Sequence, residues 1–205
     1  MILDAHTHNP AARNAIISVE PGDFKPVGGL FYSVGLHPWS ASREAHHEAL
    51  LRSVAMHPQV VAIGECGIDL VHSTLDEAAQ IELTLLHARL AEELHKPLVL
   101  HCVRSYHIVA RLLKEFRPTQ PWIIHGFRGN ATVARQLLRF QQVWLSFGEH
   151  FNADALAATP QNRRLAETDC STRPIEQIAA LVNPASPDFF CCVVGIKDEN
   201  CRNKS

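Results

Sequence analysis

The sequence predicts a (β/α)₈ barrel, a closed parallel sheet of eight strands surrounded by helices. Short apolar runs alternate with amphipathic stretches along almost the whole chain, a pattern typical of strand, crossover and parallel strand units. Most of these runs are unbroken aliphatic or β-branched segments, as expected for strands that are buried on both faces. A chain of 205 residues is long enough to form one such domain.

The predicted strands follow one another in chain order and are bounded by polar or turn-forming residues. They cover residues 2–8, 15–19, 30–36, 60–65, 98–101, 122–125, 143–147 and 165–169. Because all eight can be joined by crossovers that return to the same end of the sheet, we expect them to be parallel and to close into a barrel.

Helices are predicted between the later strands. Residues 44–56 precede the fourth strand, and residues 105–116 and 131–140 follow the fifth and sixth, with Ser105 and Asn130 in N-cap positions. The clearest pattern lies in residues 75–95. Apolar side chains there recur at steps of three and four, in the stripe Ala79, Leu83, Leu86, Leu90 and Leu94.

The first two crossovers and the C-terminal tail depart from a regular barrel. Only loops fit between residues 8 and 15 and between residues 19 and 30, so part of the outer helical ring is expected to be missing. Asn183-Pro184 and Ser186-Pro187 end the last helix. We therefore expect a barrel over residues 1–182 and an atypical, poorly ordered tail over residues 183–205.

Composition limits the classes of partner. The 19 basic and 21 acidic side chains leave a net charge of −2, so no global cationic field attracts nucleic acid or anionic membranes, and any phosphate site must be local. No apolar run approaches the roughly 20 residues of a membrane span. The first eight residues do not resemble a signal peptide, and the six cysteines lack paired CxxC spacing, so we expect a reducing, cytoplasmic location.

Histidines and carboxylates recur at the C-terminal ends of predicted strands. His6 and His8 are two residues apart and therefore share a face of the first strand. This end of a (β/α)₈ barrel is where active sites lie. The same position carries a possible metal ligand on four further strands: Glu65, His101, His125 and Asp169.

Six such side chains at one barrel mouth indicate a metal centre. Without partners, these groups would cost several kcal/mol in desolvation and repulsion, and divalent cations would neutralise the carboxylates. Four imidazoles and two carboxylates exceed one tetrahedral shell. The set therefore predicts two metal ions roughly 3.5 to 4 Å apart, bridged by a carboxylate and a water.

Several motifs in order give the chain a family resemblance. They are DAHTH at 4–8, GLHP at 35–38, GECGID at 64–69, QIELTLLHARLAEELHKPLVLHCVRS at 80–105, IHGFRGN at 124–130 and LAETD at 165–169. From Ile2 to about Val182 the chain resembles the TatD-type metal-dependent hydrolases of the amidohydrolase superfamily. The resemblance implies a (β/α)₈ barrel with a divalent-metal site, and several members of the family are deoxyribonucleases, including 3′ to 5′ exonucleases.

The resemblance also implies roles for the six candidate ligands. His6 and His8 would bind one metal, Glu65 would be shared, His101 and His125 would bind the second, and Asp169 would lie beside the nucleophilic water. Glu65 and Asp169 are thus the expected catalytic residues. Imidazole-rich shells suit Zn²⁺, whereas phosphoryl chemistry often uses Mg²⁺ or Mn²⁺, so the identity of the two ions stays open.

Three further residues are candidates for substrate binding. His37 ends the third predicted strand, where it would contact either a phosphate oxygen or a ligating carboxylate. Arg104 and Arg128 follow ligand-bearing strands and present the donors that suit phosphate, although a solvated loop position is the alternative. Asp69 is expected to brace the rim. Phe127 could stack on a base, but packing in the core is the favoured interpretation.

These observations predict a hydrolase that cleaves phosphodiester bonds, a deoxyribonuclease of exonuclease type that uses a metal-activated water. The expected partner is DNA or a small phosphoester, with no membrane and no obligate protein partner. Near-neutral charge favours single strands, ends or small substrates. The alternatives are hydrolysis of an amide, lactone or phosphomonoester at the same site, or an inactive metal-binding module. The tail from Asn183 does not resemble the family, which suggests a truncated or frame-altered C-terminus.

Overall fold

Eight parallel strands close into a barrel in the computed structural model, which describes residues 4–40 and 45–184. The strands are β1 (Asp4–Thr7), β2 (Ala15–Val19), β3 (Phe31–Val34), β4 (Val60–Asp69), β5 (Leu98–Val103), β6 (Trp122–Ile124), β7 (Val143–Phe147) and β8 (Arg164–Ala166). Each strand pairs in parallel with its neighbours in chain order, and the pair Asp4 and Ala166 joins β1 to β8. The predicted barrel is confirmed.

The described α-helices lie between the strands from β3 onward, and the last one follows β8. They are α1 (Ala45–Ala55), α2 (Glu77–Leu94), α3 (Tyr106–Phe116), α4 (Ala131–Leu137), α5 (Ala153–Ala158) and α6 (Ile175–Val182). A 3₁₀ turn, Pro21–Asp23, is the only helical segment described between β1 and β3, which confirms the shortened first crossovers. Helix α5 was not predicted from the sequence, because its six residues are too few to show a periodic pattern.

Side-chain caps explain where several helices begin. Asp76 accepts a hydrogen bond from the backbone N–H of Ala79 and so starts α2 two residues after the predicted position. Asn130 caps α4 in the same way through Val133 N–H, as expected. Ser105 occupies the N-cap position of α3 as predicted, but its hydroxyl makes no capping hydrogen bond and instead donates to the Ile68 carbonyl, which ties α3 to β4.

Six predicted strands differ from the observed ones at their C-terminal ends: β4 and β5 are longer than predicted, and β1, β3, β6 and β8 are shorter. Strand β4 continues to Asp69 because its ladder with β5 extends through Ile68 and Asp69. By contrast, β1, β6 and β8 end at Thr7, Ile124 and Ala166. His8, His125 and Asp169 therefore lie just beyond their strands and not within them, where the chain leaves the sheet at the barrel mouth.

Helix α2 buries a more polar face than its leucine stripe predicted. Leu83, Leu86 and Leu94 are only partly buried at the margins of the core, whereas Thr84 and His87 are fully buried. The His87 imidazole accepts from Leu36 N–H at 2.9 Å through Nε2 and donates to the Leu83 carbonyl at 2.7 Å through Nδ1. Helix α2 thus holds the loop that follows β3.

The C-terminal end of the barrel domain is partly described. Helix α6 ends at Val182, and Asn183 adopts a left-handed conformation whose N–H donates to the Ala179 carbonyl. Residues 1–3, 41–44 and 185–205 lie outside the described residues, so the predicted tail stays a prediction, as does the boundary at residue 182. Across the described part, no helix combines the length and apolar content that a membrane span requires.

Candidate metal centre

The carboxylate of Glu65, on β4, lies at the centre of the barrel mouth. Its Oε2 is 3.1 Å from His6 Nε2 and 3.3 Å from His8 Nε2. Its Oε1 is 2.7 Å from His101 Nδ1 and 2.8 Å from His125 Nε2. Glu65 itself is only 3% exposed. The structure therefore brings together the four predicted histidines around one buried carboxylate.

Asp169 joins this cluster from the loop after β8. Its Oδ1 lies 3.6 Å from His8 Nε2 and 4.0 Å from His6 Nε2. Backbone hydrogen bonds hold the loop against β1, because Asp169 N–H donates to the His6 carbonyl and His8 N–H donates to the Asp169 carbonyl. The Asp169 side chain is 35% exposed and so reaches the solvent at the mouth.

His37 also contacts the central carboxylate. Its Nε2 is 3.1 Å from Glu65 Oε1, so His37 is the fifth histidine in contact with Glu65. Three overlapping groups of ligand atoms each fall within 4.8 Å of one another. The groups are His6, Glu65 and His125; His6, His8 and Asp169; and His37, Glu65 and His101.

Buried polar atoms in this cluster lack hydrogen bonds. Among the described residues, His6 Nδ1 and Nε2, Glu65 Oε2 and Glu167 Oε2 have no hydrogen-bond partner. The contact between His6 Nε2 and Glu65 Oε2 has the distance of an ion pair without hydrogen-bond geometry. Burying such atoms unsatisfied is costly. Imidazole nitrogens and carboxylate oxygens are ligands of divalent transition metals, so the residues present fit a metal centre.

Electrostatics favours the ionised form of Glu65. Burial by itself would raise the pKa of Glu65, but His125, His6 and the contact with His101 outweigh it and lower the pKa well below its usual value. For His125, burial lowers the pKa, while Glu65 and Glu167 outweigh it and raise the pKa well above the ordinary value. The cluster therefore places negative charge at its centre, where a cation would sit favourably.

Two further carboxylates contact the outer nitrogens of the histidines. Asp69 Oδ2 lies 3.3 Å from His101 Nε2, and Glu167 Oε1 lies 3.3 Å from His125 Nδ1. Glu167 also accepts from Gly126 N–H at 2.7 Å. Such carboxylates fix the orientation and tautomer of metal-binding imidazoles. The sequence pointed to Asp69 as a rim brace but gave no reason to pair it with His101.

Trp39 is a site residue that the sequence analysis missed. Its indole N–H donates to Asp69 Oδ2 at 2.6 Å, and its ring meets those of His37 and His101 edge to face. The feature of the sequence that could have indicated Trp39 is its position, two residues after His37 in the segment GLHPW. That position does not by itself show that the tryptophan side chain faces the barrel mouth.

The two predicted arginines lie outside the cluster. Arg128 is exposed and lines a cavity of about 250 Å³ together with Glu149, His150 and Asp169. A second cavity, of about 530 Å³, is lined by His8, His37 and Glu65 among other residues. Arg104 lines neither of these two cavities. Phe127 is fully buried, which confirms the interpretation as a packing residue.

The chain is similar in sequence to several known proteins. A family model described as TatD related DNase matches residues 24–186. An uncharacterized metal-dependent hydrolase of Bacillus subtilis, YabD, is 30% identical over 170 residues, covering 78% of this chain and 64% of the relative. The 3′-5′ ssDNA/RNA exonuclease TatD of Musicola paradisiaca is 31% identical over 154 residues, covering 69% of this chain and 57% of the relative. The chain thus spans less than two thirds of the length of either relative.

A solved structure shares the fold. The crystal structure of YjjV, a TatD homologue from Escherichia coli, superposes with a TM-score of 0.74 and 20% identity over 88% of each chain. The family-model match begins after β1 and β2, so it includes Glu65, His101, His125 and Asp169 but not His6 and His8. His6 and His8 are assigned to the site by their contacts with Glu65 in the barrel and not by the family-model match.

Proposed function

Because the chain belongs to the family of TatD-related DNases, we propose that it is a metal-dependent hydrolase that cleaves phosphodiester bonds in nucleic acid, as a deoxyribonuclease of exonuclease type. The observation that carries this proposal is the buried Glu65 carboxylate, which has five imidazoles within 3.3 Å at the barrel mouth. Such a ligand-rich mouth is the usual position of the active site in this fold.

Two divalent ions would occupy the cluster. His6, His8 and Asp169 would hold one ion, His101 and His125 would hold the other, and Glu65 would contact both. When bound, Zn²⁺, Mg²⁺ or Mn²⁺ would lower the pKa of water and offset the charge that develops on the phosphoryl oxygens. His37 is a further possible ligand from its contact with Glu65.

The protein's own groups would orient the reactants. Asp169, the most exposed carboxylate of the cluster, is placed to hold the attacking water and to take its proton at a carboxylate oxygen. Asp69 and Glu167 would keep the proton of each partner imidazole on its outer nitrogen, which leaves His101 Nδ1 and His125 Nε2 free to bind metal. Glu65 and Asp169 are thus the proposed catalytic residues.

Phosphate recognition would depend on a few local cations. Among the described residues, no carboxylate lies within ion-pair distance of Arg104 or Arg128, so both guanidinium groups are available to phosphate. A net charge of −2 does not support tight duplex binding. A single-stranded DNA, a free end or a small phosphoester is therefore the proposed partner, without an obligate protein partner.

We also propose a cytoplasmic location. In the described part of the chain, Cys66, Cys102 and Cys170 are all free thiols. Unpaired cysteines are usual in a reducing compartment.

A substrate panel on metal-reconstituted protein tests this function. Protein freed of metal by a chelator is reloaded with Zn²⁺, Mg²⁺ or Mn²⁺, its metal content is measured, and it is assayed on single-stranded DNA, duplex DNA, RNA, a phosphomonoester and an amide. We expect two ions per chain and metal-dependent hydrolysis that is fastest on single-stranded DNA.

Two variants control that experiment. His101→Ala should lose metal and activity together, whereas His107→Ala, on the exposed side of α3, should keep both. If the amide or the monoester is hydrolysed faster than DNA, the proposed substrate is wrong and that compound class takes its place. Stoichiometric metal without hydrolysis of any ester would contradict the enzyme proposal and favour a metal-binding module.

A further inference from the structure

The Trp39 side chain lies at the mouth in a fixed orientation with much of its ring uncovered. Its indole N–H is hydrogen-bonded to the buried Asp69 carboxylate, and His37 and His72 meet the ring edge to face at 4.8 and 5.5 Å between centroids. Despite these contacts, 54% of the residue is exposed. A large aromatic surface held rigid and open beside a catalytic cluster is suited to stacking on a ligand.

Trp39 lines the larger cavity, whose volume is about 530 Å³. That volume falls within the range of about 300–1,000 Å³ that holds a single drug-sized molecule, so one nucleoside would fit but a folded oligonucleotide would not. His8, His37 and Glu65 form the wall of the cavity toward the metal-binding cluster. A group in this cavity would therefore be next to the reacting phosphate.

The charged residues that line the two cavities differ. Glu20 and Asp23 line the larger cavity and are not part of the metal-binding cluster; these carboxylates would repel a phosphate but could accept hydrogen bonds from sugar hydroxyls or base amino groups. Arg128 lines the smaller cavity, whereas no lysine or arginine among the described residues lines the larger one. Phosphates of a bound strand are thus favoured on the Arg128 side, and the larger cavity is left for an uncharged part of the substrate.

We propose that the larger cavity binds the nucleoside of the terminal nucleotide and that Trp39 stacks on its base. The inference rests on the proposed function, which it extends by naming the part of the substrate that this chain recognises. Stacking on one face requires a base that is free of its partner strand, so the site selects an unpaired end. Because every base has a π face, the preference among bases is expected to be weak.

Binding can be measured without turnover by tryptophan fluorescence of the full-length, metal-free protein. Titration with deoxyadenosine monophosphate should quench the emission in a saturable manner, whereas 2-deoxyribose 5-phosphate, which has no base, should not. The quenching should disappear in Trp39→Phe, in which Trp122 and Trp144 remain as emitters. Equal quenching in that variant, or none in the wild type, would overturn the proposal.

Kinetics separates stacking from an indirect effect through Asp69. Trp39→Ala should raise KM for single-stranded DNA about tenfold, which corresponds to about 1.4 kcal/mol of lost stacking. Oligonucleotides that lack the terminal base at one end or the other provide the comparison. When the base is missing from the end that is cleaved, KM of the wild type should rise by the same factor of about ten. KM of Trp39→Ala should not rise further when that base is removed. Trp39→Phe, which keeps an aromatic ring but loses the N–H donor, should retain most of the affinity.

The outcomes distinguish this inference from the proposed function. An equal loss for Trp39→Ala on normal and base-free ends would mean that Trp39 acts by positioning Asp69, and the stacking proposal would be wrong while the nuclease remained. If the wild type hydrolyses no phosphodiester with any metal, the proposed function fails. The fluorescence titration still decides whether the cavity binds a nucleotide.

Discussion

Glu65 is a buried carboxylate whose neighbours keep it ionised. Taking a carboxylate out of water is expensive unless cationic or hydrogen-bonding partners replace the lost solvation. Five histidines from four strands and the loops after them surround this side chain. Burial by itself would raise the pKa of Glu65, but the interactions with His125, His6 and His101 outweigh it and lower the pKa. The residue is therefore preorganised as an anion at the point where cations would bind.

Asp169 differs from Glu65 in being accessible to water. Its proposed role is therefore to accept the proton of the attacking water. Replacing it by Asn removes the charge and the proton-accepting oxygen while preserving the size of the side chain. We expect kcat for single-stranded DNA to fall by about 10²- to 10⁴-fold, the usual contribution of a general base. The fold should be unchanged, as measured by circular dichroism and thermal unfolding.

Asp154→Asn is the matched control, because Asp154 is an exposed carboxylate in the first turn of α5, away from the cluster. It should leave kcat within a factor of two. A wild-type kcat in Asp169→Asn would exclude the proposed role for Asp169.

At the level of elements, helix α2 supports the site through one buried side chain. His87 bridges α2 to Leu36, the residue before His37, so its two hydrogen bonds help to place the loop that follows β3. Burial lowers the pKa of His87 to about 4. The folded protein thus holds the neutral imidazole, in which Nδ1 donates and Nε2 accepts.

This linkage makes stability depend on pH. Because the pKa of His87 is lower in the folded state than the ordinary 6.5, the unfolded state binds more protons between those values. The contribution of neutral His87 is complete above about pH 6.5 and is lost as the pH falls toward 4. At pH 4.5 the stability lost relative to neutral pH amounts to about 2–3 kcal/mol.

Urea unfolding of the wild type and of His87→Gln at pH 7.5, 6.5, 5.5 and 4.5 measures how much His87 contributes to the pH dependence of stability. Glutamine can accept from Leu36 N–H and donate to the Leu83 carbonyl but does not titrate, so the difference in unfolding free energy between the two proteins isolates His87 from other histidines. The difference should move in favour of the variant as the pH falls. A constant difference across this range would show that His87 is not the titrating group.

For the molecule as a whole, the small net charge requires that phosphate affinity come from individual contacts. Each phosphate contact contributes about −0.7 to the slope of log K against log salt for a single strand. Arg128→Ala and Arg104→Ala should therefore each flatten the slope for single-stranded DNA by about 0.7.

Arg135→Ala serves as the control, since Arg135 is exposed on α4 and lines neither cavity at the mouth. Its slope should match that of the wild type. An unchanged slope in Arg104→Ala or Arg128→Ala would place that arginine among the solvated loop residues.

The sequence by itself determined the strand order and the ligand types. Apolar runs separated by crossovers predict parallel strands because burial on both faces demands unbroken hydrophobic segments. A ligand at the same end of successive runs predicts a shared mouth because parallel strands end on one side. His6, Glu65 and His101 lie on strands as expected, while His8, His125 and Asp169 lie just past strand ends that local pattern does not mark.

Only the tertiary structure decided how these side chains meet. The sharing of Glu65 by five histidines, the pairing of Asp69 with Trp39 and His101, and the burial of His87 all join residues on different elements. Such contacts depend on barrel closure, on strand register and on loop conformations such as the positive φ of Asp169. The hydrophobic periodicity of one segment does not predict such contacts. It indicates which face of that segment is buried but not which residues of other elements pack against that face.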